Sequence, residues 1–247
     1  MPLEVEVVPE QALRHESAEF VLGMPLCQSI SVIQRLSRQV RNVELLYGHL
    51  EPLSRDIVIN LTLDGIRLAF DSKCQRLKLI EVYDLRNIVL RYCSVQFSSP
   101  ADRATVAKVE QCFGATHPGV YDKQQRVYVL AYRGLSFCFP LESAVQPGYA
   151  HGLGSLRFPD HHETSPTVAK MTIYYGASDY VIPDMPLACY AGNPQLINLH
   201  VLSSERSVYG IELYFMIDVI KCGRPADSAS EVQCQILFGD TDEVFYT

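Results

Sequence analysis

Apolar residues along the 247-residue chain follow two periodicities. Between Pro25 and about Val40, Leu26, Ile30, Ile33, Leu36 and Val40 recur at steps of three and four, which lines them along one face and predicts a helix. Pro25 suits its first turn, where the missing N–H loses no bond, and Arg38 and Arg41 near its end complement the negative pole of the helix dipole. A shorter helix is predicted from Ala101 or Asp102 to Phe113, with Val106, Val109 and Phe113 on one side and Gly114 as a stop. Most of the rest has period two. Ile57–Leu63, Ile66–Phe70, Leu77–Val82, Asn87–Phe97, Arg126–Tyr132, Leu135–Phe139, Leu153–Phe158 and Val168–Tyr175 all read as strands, with Asp64-Gly65 as a turn between the first two.

One pattern recurs. Gly65-Ile66-Arg67-Leu68-Ala69-Phe70, Gly134-Leu135-Ser136-Phe137-Cys138-Phe139 and Gly210-Ile211-Glu212-Leu213-Tyr214-Phe215 share the form Gly-(Ile/Leu)-x-(Leu/Phe)-x-Phe. A glycine there permits the positive φ of a tight turn, and the strand after it buries alternate side chains. Around the first two copies the context repeats as well: a helix upstream, a strand, the glycine turn, the matching strand and one further strand. The expected fold is therefore α+β and sheet-dominated, built of repeated units of one helix packed on an antiparallel β-meander. The units span 1–98 and 99–190, with an incomplete third β-rich segment over 191–247.

Composition narrows the function classes. Lys plus Arg is 21 against 28 for Asp plus Glu, a net charge of −7, which repels phosphate backbones and argues against nucleic acid as a partner. Hydrophobic residues are 48%, enough to bury a core. Eight scattered cysteines are far too sparse for a disulfide scaffold, and they read as reduced thiols of a cytosolic protein. The start, MPLEVEVVPEQ, has acidic residues where a secretory leader would be basic, and no run is long and apolar enough for a membrane-spanning helix. Position 2 is Pro, not the Gly that myristoylation requires.

Candidate chemistry is thin. His161-His162-Glu163 is the densest group of metal-ligand types, but adjacent histidines point apart on a strand, and the stretch reads as a solvated loop tip. His151-Gly152-Leu153-Gly154 lacks the remainder of a phosphate loop. The loop from Gly114 to Asp122 brings His117, Tyr121 and Asp122 close in sequence, which keeps a hydrolase open as an alternative, although no G-x-S-x-G elbow is present. Arg35, Arg38 and Arg41 form a basic stripe that reads chiefly as a solvated face. No catalytic, metal or cofactor residue is assigned.

Three strings resemble the phagophore assembly factor family: Glu19–Leu26; Asn60–Ile66 with Phe70-Asp71 and Gln75–Val82; and Phe113–Tyr121 with Arg133–Phe137. Met185-Pro186-Leu187 is a weaker fourth element. The resemblance is expected to hold to about residue 190 and to thin beyond it. Phe238-Gly239-Asp240 and Val244-Phe245-Tyr246 resemble family segments that ordinarily flank a helix, as they would if this chain were a truncated or spliced amino-terminal portion. The resemblance implies a non-enzymatic adaptor in autophagy. It would be cytoplasmic and peripheral at the phagophore, in complex with a WD-repeat β-propeller protein, with indirect association with phosphoinositide-containing membrane. A Golgi or vesicle-trafficking interaction protein is the other non-enzymatic alternative.

Overall fold

A computed structural model describes residues 2–40, 42–48, 53, 55–141 and 166–176, together with short strands at 148–149, 156–157, 219–222 and 231–237. The amino-terminal part forms β1 (Leu3–Val8), β2 (Ala12–His15), β3 (Ala18–Val21) and α1 (Leu26–Arg35). A meander follows: β4 (Val43–Gly48), β5 (Ile57–Leu61), β6 (Ile66–Phe70) and β7 (Leu77–Val82). Next come β8 (Ile88–Tyr92), β9 (Val95–Ser98), α2 (Val106–Phe113), β10 (Val120–Asp122), β11 (Val127–Tyr132) and β12 (Leu135–Pro140). The remaining strands are β13 (Gly148–Tyr149), β14 (Leu156–Arg157), β15 (Lys170–Tyr174), β16 (Val219–Cys222) and β17 (Glu231–Leu237). The described chain is sheet-dominated α+β, as the periodicities predict.

Ten strands form one sheet, antiparallel throughout, in the order β10-β11-β12-β15-β7-β6-β5-β4-β17-β16. Four strands thus run inward in chain order from each side, β4 to β7 and β10 to β15, and meet where β7 pairs with β15. A second sheet has the order β3-β2-β1-β8-β9, in which β1 and β8 run parallel.

Register sorts the side chains of the large sheet into rows. Leu45, Ile59, Leu68, Ile80, Ile173 and Leu135 lie opposite one another across six strands, and all are buried. They face one hydrophobic cluster shared with Ile30 and Ile33 of α1, Val109 of α2 and Val5 of β1. Burying each such side chain contributes about 1.5–3 kcal/mol. One residue along, the opposite face carries the row Glu44, Asn60, Arg67, Glu81, Thr172 and Ser136.

Both hairpin glycines behave as the repeated pattern predicts. Gly65 has φ 66° and precedes β6; Gly134 has φ 67° and precedes β12. The third copy, Gly210–Phe215, lies outside the described residues.

Several boundaries differ from expectation. The first helix stops at Arg35, ten residues long, and turns carry Leu36 and Val40 into the core. Val40 N–H still reaches the Leu36 carbonyl at 2.8 Å, so the apolar spacing persists after the helix has ended. Pro25 is the extended residue before the helix, and Arg38 falls outside it, leaving Arg35 in the last turn. The second helix starts at Val106 because Thr105 caps it, its hydroxyl accepting the Lys108 N–H at 3.3 Å. Asp102 sits in a preceding turn and pairs with Lys108. Asn87–Phe97 is two strands, not one: Cys93 (φ 49°) and Ser94 (φ 65°) form a two-residue turn between Tyr92 and Val95. In Leu153–Phe158 only Leu156–Arg157 lies within the described residues, as β14.

Candidate functional site

The loop Gly114–Asp122 is built by its neighbours. Gly114, at φ 84°, ends α2 and donates its N–H to the Glu110 carbonyl at 2.9 Å. Thr116 Oγ1 donates to the Ala131 carbonyl at 2.7 Å, and the Tyr132 hydroxyl donates to the Gly114 carbonyl at 3.0 Å. Burial pushes the Tyr132 hydroxyl up, with Glu110 nearby adding to the shift, so it stays protonated as that donor. Gly119 is buried, and its N–H meets the hydroxyl of the fully buried Tyr128 at 3.0 Å.

The three reactive-type side chains of the loop are used separately. Tyr121 lies opposite Tyr128 across β10 and β11 and packs half-buried on the core. Asp122 Oδ1 accepts the N–H groups of Gln124 at 2.8 Å and Gln125 at 3.1 Å, holding the β10–β11 turn. His117 is exposed at the loop tip. Among the described residues no hydrogen bond joins any two of them. Tyr121 is used for packing, Asp122 for a turn, and His117 stands at the exposed tip.

The arginines gather elsewhere. A groove of about 1270 Å³ is lined by Arg14, Arg38, Arg86 and Arg91 together with Glu4 and Glu6. Register puts Glu6 between Arg14 of β2 and Arg91 of β8. Arg14 pairs with Glu19 at 2.8 Å, Arg91 with Glu4 at 3.5 Å and Arg86 with Asp84 at 2.6 Å. The Arg86 guanidinium holds the Asp84 carboxyl below its ordinary range. Three of the four cations therefore already face carboxylates, and the groove presents mixed charge with no basic field. Arg35 and Arg38 are exposed, and Arg41 lies outside the described residues.

A charge cluster that periodicity alone cannot find sits on the outer face of the large sheet. Glu81, with its side chain 10% exposed, accepts from Arg67 at 2.8 Å and lies 3.0 Å from Lys170. These residues stand on β6, β7 and β15, so the carboxylate ties the two inward-running sets of strands together. Burial lowers the Lys170 pKa, but its bond to Glu81 more than offsets that and the net shift is upward. The Arg67 guanidinium also lies over the Tyr83 ring at 4.9 Å. Arg67 is the one charge in β6 and Lys170 the one in β15, while β7 carries Lys78 as well as Glu81, so only the sheet order shows which of them pair.

The strings that carry the family resemblance are seams of the fold. Gly23 N–H donates to the Leu77 carbonyl at 2.6 Å, Leu77 N–H to Met24 at 2.9 Å and Leu26 N–H to Gln75 at 2.9 Å. Arg76 Nη1 adds a bond to the Gly23 carbonyl at 2.9 Å. Thus 19–26 and 75–82 hold each other in place. His161, His162, Glu163 and His151–Gly154 lie outside the described residues. Among the described residues, no cluster of three or more metal-ligating side chains occurs, and no helix is long and apolar enough to cross a membrane.

Comparison with known proteins gives one consistent family. The family model described as phagosome assembly factor 1 matches residues 16–246, which extends the likeness well past residue 190. A PHAF1 protein of Drosophila melanogaster is 41% identical over 246 residues, covering 98% of this chain and 55% of the relative. A PHAF1 protein of Caenorhabditis elegans is 38% identical, covering 96% of this chain and 57% of the relative, and one of Arabidopsis thaliana is 34% identical over 201 residues. The chain spans little more than half the length of the relatives it matches. No solved structure matches.

Proposed function

The chain belongs to the phagosome assembly factor 1 family, and we propose that it works as a non-enzymatic adaptor in autophagy. In this reading it is cytoplasmic and joins the phagophore peripherally, held there by a WD-repeat β-propeller protein. The family is named for an assembly factor and not for a reaction. The observation that carries the reading is the use made of the family-like residues: Gly23, Gln75 and Leu77 serve backbone pairing, and Thr116 ties its loop to the Ala131 carbonyl. Residues spent on shape are what a docking scaffold needs.

A repeated architecture is part of the proposal. We read 1–98 and 99–190 as two units of a helix with a meander, and 191–247 as an incomplete third. What supports this is the strand order, with β4 to β7 mirrored by β10, β11, β12 and β15 and a positive-φ glycine opening the third strand of each set. Superposing the two sets tests it, because unrelated units would match over no more than the shared hairpin.

The test of function is affinity purification of the tagged full-length protein from starved cells. Recovery of a β-propeller protein in stoichiometric amount supports the adaptor. Its absence under conditions that keep the protein folded would overturn it.

A further inference from the structure

We draw no further inference here: the strongest candidate, the outer face of the ten-stranded sheet where Leu46, Val58 and Leu79 flank the Arg67–Glu81–Lys170 cluster, is an unpartnered face and nothing in the structure shows what covers it.

Discussion

The main-chain N–H of Glu10, in the turn between β1 and β2, donates to the carbonyl oxygen of Gly134 at 3.2 Å. The same carbonyl accepts the Tyr174 N–H at 3.1 Å, and the Glu10 carboxylate takes Arg133 Nε at 2.9 Å and the Gly176 N–H at 3.3 Å. The first turn of the chain therefore clamps a hairpin from its middle. A methyl group on Gly134 would overlap the Glu10 backbone, just as one on Gly65 would overlap the Asp84 carbonyl.

Gly134→Ala and Gly65→Ala should each destabilise the protein, by about 1–2 kcal/mol from left-handed backbone strain and further from overlap. At Gly114 nothing lies within 4 Å of an added carbon, but φ 84° with ψ −176° is backbone essentially restricted to glycine, so Gly114→Ala should lose stability through strain alone. Urea unfolding should show Gly134→Ala and Gly65→Ala each losing more than the roughly 1–2 kcal/mol of left-handed strain. Losses confined to that range would mean that the close approaches do not matter.

Removing the central carboxylate with Glu81→Gln leaves Arg67 and Lys170 facing each other without a counter-charge. Both cations are about two-fifths exposed, so screening limits the loss to about 1 kcal/mol. A double-mutant cycle with Lys170→Met should give a coupling of about 0.5–1 kcal/mol. Strict additivity would show that the pair contributes nothing.

The Tyr132 hydroxyl gives a pH signature. Its pKa is raised above the ordinary 10.0 in the folded state, so the native protein holds that proton more tightly than the unfolded chain. Its contribution is present below pH 10 and is lost as pH rises above it. Tyr132→Phe should cost about 1 kcal/mol at neutral pH through the lost bond to Gly114, and should flatten the alkaline fall in stability. An unchanged alkaline limb in thermal melts would contradict this.

His117→Ala should leave both stability and recovery of the proposed propeller partner unchanged. Asp122→Ala should lose about 1 kcal/mol of stability, by freeing the Gln124 and Gln125 N–H groups, without loss of partner. A cellular defect in both variants at normal protein abundance would revive the hydrolase reading of this loop.

Isolated, the chain should float poorly with vesicles, whether or not phosphatidylinositol 3-phosphate is present. Its net charge is −7, and each well-placed basic residue is worth only about 1 kcal/mol at an anionic surface. Arg38 shares its groove with Glu4 and Glu6. Strong flotation abolished by Arg35→Glu with Arg38→Glu would show direct lipid binding.

Local pattern made the β5–β6 hairpin, both helices and the alternation of β6, β7 and β12 legible from sequence. The Cys93-Ser94 turn was hidden because neither residue is among the glycine and asparagine types that normally adopt positive φ. Leu36 and Val40 prolonged the first helix on paper because a following turn buries them at helical spacing. The alternation of Leu3, Val5 and Val7 was available, and it marks β1. What periodicity could not supply was partnership. Nothing local tells Glu81 that Lys170 will arrive beside it, or tells Glu10 that it will meet Gly134.

The parallel pairing of β1 with β8 sets an order of events at the ribosome. Leu3 lies opposite Ile88 and Val5 opposite Leu90, so the first strand emerges long before its neighbour exists. Until then β1 offers one unsatisfied edge, shielded on the other side only by the β2–β3 hairpin. Closing so long a loop carries an entropic cost, and it delays the second sheet until most of the first meander is complete. Until residues 88–91 have been made the β1 edge is open to a nascent-chain chaperone, just as the outer edge of β4 is until 231–237 arrive.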